Sequence, residues 1–165
     1  MPHSLNDAFT SVLSFSHWQQ LGLAFLLGSF AVATLSDLRR LSAQREFLEV
    51  WVIFVLVVFA LDVYDEHRGR VTSGLLTLKW GLIALGSVLC WRRVGLLLRL
   101  APGDVAALAA AASLLTPVLI VLFYLTAKLL ALGIGPLLRR RGPYWPFMPV
   151  VSLATLAVLA LGLAS

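Results

Sequence analysis

From Val105 to Leu138 the chain is apolar, broken only by Lys128 and a few small polar residues. As one helix that stretch would extend about 51 Å at ~1.5 Å per residue. A hydrocarbon core is roughly 30 Å thick, so one span cannot use all of it. Thr116-Pro117 falls near the middle, and proline sits readily in the first turn of a helix. The stretch therefore reads as two short spans, 104–116 and 117–138; the alternative is one tilted helix kinked at Pro117. Four further apolar segments run over about 18–36, 47–64, 73–91 and 146–163.

A chain of 165 residues that is 60% hydrophobic and 13% charged, with mean hydropathy +0.93, cannot hide its apolar surface inside a soluble domain. Stretches of this length and apolarity are read as membrane spans. The expected fold is an all-α membrane protein: a polar lead-in over 1–17, then a single six-transmembrane-helix domain over 18–165. The lead-in lacks a basic stretch of the secretory type, and Trp18 at its end suits an interfacial anchor.

The net charge is +5 and the pI about 10.1. That balance can signal nucleic acid, but the cations sit in short clusters between apolar segments, so no nucleic-acid partner is expected. With six spans and the N-terminus outside, Arg39, Arg40 and Arg45, then Arg92, Arg93 and Arg99, then Arg139, Arg140 and Arg141 all face the cytoplasm. Only Arg68 and Arg70 lie in outside loops. This is a strong positive-inside bias. It predicts a multi-pass protein of the cytoplasmic (inner) membrane, with the lipid bilayer as a standing partner.

On that topology Asp37, at the end of the first span, and Asp104, at the start of the fourth, both fall at the cytoplasmic face. Ionisable residues at such positions are expensive and mark candidate sites. Two carboxyls sharing one proton are what peptide hydrolysis by an activated water requires. Asp62, near the outer end of the second span, is a candidate partner for Lys79. The single cysteine, Cys90, and the scattered histidines His3, His17 and His67 offer no metal-ligand spacing. No metal and no cofactor are expected. The run Ala109 to Ser113 would let the fourth helix approach its neighbours closely. The tryptophans, Trp51 among them, fall near span ends as belt residues do.

These residues resemble the prepilin and preflagellin peptidases, membrane aspartyl proteases with a Gly-x-Gly-Asp motif. Asp37-Leu38-Arg39-Arg40 is similar to that family's first aspartate and its basic neighbours. Ala101-Pro102-Gly103-Asp104-Val105 is similar to the second motif. Pro146-Phe147-Met148-Pro149 resembles the stretch that opens the last span. The likeness covers about residues 20–163 and is closest to the small, archaeal-type members without a zinc domain. It departs at Ala101, where the family has glycine, at Ala106, where lysine is common, and at Ala43 to Glu46, where Ile-Pro-Asn is common.

The resemblance implies an endopeptidase that removes a short basic leader from pilin-like or flagellin-like precursors. Asp37 and Asp104 would be catalytic, with Gly103, Pro146 and Phe147 shaping the substrate site. Two other classes fit the same residues. One is an inactive relative serving as a membrane scaffold or assembly subunit. The other is a small transporter with a polar path through Asp37, Asp104 and Lys128.

Overall fold

In a computed structural model the structure describes residues 17–40, 45–138 and 147–164, with side chains over 21–36, 47–134 and 147–160. Every apolar segment becomes a helix: α1 (His17–Arg40), α2 (Arg45–His67), α3 (Ser73–Cys90), α4 (Pro102–Ser113), α5 (Pro117–Leu138) and α6 (Met148–Ala164). The long apolar stretch breaks where the proline directs. Leu114, Leu115 and Thr116 separate α4 from α5, and Pro117 opens α5. The Thr116 carbonyl accepts the Ile120 amide at 2.9 Å, starting the new helix.

Three helical stretches are long and apolar enough to cross a membrane: Phe47–His67, Ser73–Cys90 and Pro117–Ile134. Phe47–His67 has a mean hydropathy of 2.3, yet only 6% of its most apolar part is buried by the rest of the protein. Such a surface is stable against acyl chains and costly against water. The apolar parts of α1 and α6, Leu21–Ser36 and Met148–Ala160, are shorter. Helix α4, expected over 104–116, begins two residues earlier and ends at Ser113. Its 12 residues rise about 18 Å, roughly half of a bilayer's hydrocarbon thickness.

Helices α1, α2 and α3 form consecutive antiparallel pairs. Phe30 packs edge-on against Trp51 at 5.6 Å, and Phe25 stacks on Phe54 at 5.9 Å, which joins α1 to α2. Phe59 meets Trp80 at 5.0 Å, joining α2 to α3. Trp51 is not a belt residue. It is fully buried, and its indole N–H donates to the Ser29 hydroxyl at 3.2 Å. A tryptophan one turn from a helix start reads as interfacial from sequence, but the α1–α2 crossing covers it.

The short α4 lies at the centre and touches all five other helices. Ala107, Ala110, Ala111 and Ala112 are each 3% exposed or less, so neighbouring backbones close in without bulky side chains between them. The polar Ser113 stays buried because its hydroxyl donates to the Ala110 carbonyl at 2.8 Å.

At Gly86 helices α3 and α5 come close together. A Cβ there would overlap the edge of the Tyr124 ring on α5. Tyr124 is itself 6% exposed and its hydroxyl reaches the Ile83 carbonyl at 3.4 Å, so the ring has no free space to enter. Gly86→Ala should therefore destabilise the fold by about 1–3 kcal/mol through overpacking. Adding Tyr124→Leu should recover part of the loss. Reversible unfolding in mixed detergent micelles measures both.

Candidate functional site at the aspartate-bearing end

The hairpin order fixes which helix ends lie together. α1 ends where α2 begins, and α2 runs back against α1. α3 returns along α2, so Cys90 lies at the end where α1 finishes. The Cys90 carbonyl accepts the Leu100 amide at 3.0 Å, and the Leu100 carbonyl accepts the Arg92 amide at 3.2 Å. This folded-back loop, with Leu100 buried, starts α4 beside the end of α3. Thr34 of α1 and Ser152 of α6 share a hydrogen bond at 3.0 Å, which brings the start of α6 to the same end. The last turn of α1, the first turn of α4 and Phe147 thus share one end of the bundle.

Asp37 lies in the last turn of α1, and its side chain is outside the described residues. Asp104 is in the first turn of α4, half-buried. Ala101 is the N-cap, Pro102 the first helical residue and Gly103 the second, which puts Asp104 third. The first turn of a helix favours a negative charge because its amides point outward unpaired. Ala101 has φ −71° and ψ 158°. That is ordinary extended backbone, open to any residue, so alanine presents Asp104 without strain at this position.

Phe147 is 2% exposed, and its carbonyl accepts the Val150 amide at 2.9 Å as α6 begins. It shapes this end by packing. Pro146 lies outside the described residues. Among the described residues, no three His, Cys, Asp or Glu side chains gather as metal ligands.

The opposite end carries different chemistry. Asp62 receives the Lys79 ammonium at 2.6 Å and the Trp80 indole N–H at 3.0 Å, as the pairing of Asp62 with Lys79 anticipated. The two charged side chains are 22% and 14% exposed. Helix α2 stops in a Schellman turn: Gly69 at φ 70° donates to the Glu66 carbonyl, and Arg70 donates to the Asp65 carbonyl. This turn sets Arg68 over the Tyr64 ring at 4.5 Å and Arg70 on the Asp65 carboxylate at 3.3 Å. Below it a cavity of about 640 Å³ opens between α1 and α2. Sequence reading missed it. Its walls come from residues far apart in sequence, with Gly22 of α1 lying close against Phe54 of α2.

Two outcomes follow from this geometry. Asp62→Ala leaves the Lys79 ammonium unpaired at an apolar helix surface, so it should cost more stability than the double variant Asp62→Ala/Lys79→Met; a double-mutant cycle read by unfolding in micelles measures the difference. Ala101→Ser supplies the missing side-chain cap of α4 and should stabilise the fold by about 1 kcal/mol in the same assay. No protein-family model, curated protein or solved structure matches this chain.

Proposed function

We propose that the chain is a membrane aspartyl endopeptidase with Asp37 and Asp104 as its catalytic pair. It removes the short basic leader from pilin-like or flagellin-like precursors at the cytoplasmic boundary of the inner membrane. The observation that carries this reading is the common location of two helix ends: the last turn of α1, holding Asp37, and the first turn of the central α4, holding Asp104.

The wider topology is part of the proposal. The chain crosses the membrane six times with its N-terminus outside. Its support is the distribution of arginines. Arg39, Arg40 and Arg45 flank the α1–α2 junction and the α3–α4 and α5–α6 connections carry the other two clusters, whereas Arg68 and Arg70 belong to the α2–α3 turn at the other end. Cation-rich connections stay on the cytoplasmic side, which makes the aspartate end cytoplasmic.

In the mechanism, two neighbouring carboxyls share one proton because both cannot comfortably ionise together. The ionised carboxylate takes a proton from a water, whose oxygen attacks the scissile carbonyl. The protonated carboxyl donates to that carbonyl oxygen. Collapse breaks the C–N bond and delivers a proton to the leaving amine. The pair titrates as a unit. Gly103, without a side chain on the second residue of α4, leaves room for a substrate strand.

The test is cleavage of basic-leader precursors in membranes by wild type, Asp37→Asn and Asp104→Asn. Each variant should lose at least about 100-fold in rate, the scale of a missing acid–base group. Cleavage that survives either substitution rejects the dyad. A folded wild type that cuts no precursor of this type points instead to an inactive relative acting as a membrane scaffold or assembly subunit.

A further inference from the structure

The geometry points to a phospholipid site in the groove between α1 and α2, at the end of the bundle away from the aspartates. It depends on the membrane setting of α2 and not on the peptidase reading. The groove is about 640 Å³ and is walled by Gly22 and Phe25 of α1, Phe54 and Leu61 of α2, and Leu114 beyond α4. At Gly22 the wall is closely packed: a Cβ there would stand 3.3 Å from the Phe54 ring and 3.7 Å from Leu114.

Length and charge choose the occupant. From Phe54 to Arg68 the groove follows α2 for about 21 Å at ~1.5 Å per residue. Half of a bilayer with its headgroups is roughly 20–22 Å thick. The groove therefore runs from the level of the headgroups to about the midplane, the length of one lipid in one leaflet. At its mouth two carboxylates have cationic partners, Asp62 on Lys79 and Asp65 on Arg70; Glu66, in the same turn, is not among the residues that wall the groove. Arg68 stands over Tyr64, and the described residues set no carboxylate against it. Arg70 uses one guanidinium nitrogen on Asp65 and keeps further N–H donors. Two guanidinium groups fixed by one Schellman turn suit a phosphate, which arginine grips through paired N–H groups. The occupant is a diacyl phospholipid, its phosphate on Arg68 and Arg70 and one acyl chain against Phe25 and Phe54.

Native mass spectrometry of the full chain released from micelles tests this. The micelles contain either phosphatidylglycerol or diacylglycerol of the same chain composition. Wild type should retain one phosphatidylglycerol per chain, at least fivefold above diacylglycerol. Gly22→Leu, which drives a bulky side chain against Phe54 and Leu114 in the groove wall, should abolish retention. Arg68→Gln/Arg70→Gln, at exposed positions that leave packing intact, should lower it at least fivefold. The proposal is overturned if wild type retains no lipid or if diacylglycerol is held equally well. It is also overturned if the arginine variant loses lipid while a folded Gly22→Leu keeps it, which would mean surface attraction alone. A dimer that Gly22→Leu dissociates would assign the groove to a second copy of the chain and equally reject the lipid.

Discussion

The close approach of helices around α4 is the constraint on which the rest of the bundle depends. Inside a membrane, apolar side chains gain little by leaving lipid for protein, so helices associate through dense van der Waals contact. Alanines at 107, 110, 111 and 112 supply that contact by keeping α4 thin on every side. Because α4 is also short, its first turn lies at one end of the bundle while Leu114 reaches the groove between α1 and α2. A bulkier fourth helix would separate the helices that surround it.

The two ends of the bundle then differ for electrostatic reasons. At the aspartate end, acids stand at helix termini among arginine-bearing connections. At the other end two acids are paired locally: Asp62 with Lys79 and Trp80, Asp65 with Arg70. A charged pair beside apolar surface must satisfy its hydrogen bonds to persist, and Asp62 does so with two donors on neighbouring residues of α3. The pair also explains how Lys79 can sit in an otherwise apolar helix.

Much of this was legible before any coordinates. Thr116-Pro117 marked the helix break because proline lacks an amide to donate and opens helices easily. Small residues around Ala109 to Ser113 marked the central helix. Asp62 and Lys79 could be paired because each was an isolated charge at matching depth on adjacent helices. Trp51 was misread as interfacial, since burial depends on how α1 crosses α2. The groove was invisible for the same reason: it is a space between two helices, walled by residues far apart in sequence.

By itself the sequence determined the helices, their limits to within a few residues, the polarity of each connection and the candidate acids. These follow from local hydropathy, charge and proline, which act within a few residues along the chain. Tertiary structure alone decided which ends meet, that α4 touches every other helix, that Ala101 adopts a backbone geometry needing no glycine, and that a lipid-length groove opens below Arg68 and Arg70. Those features are relations between residues distant in sequence. They are set by side-chain packing across helices, which no local pattern encodes.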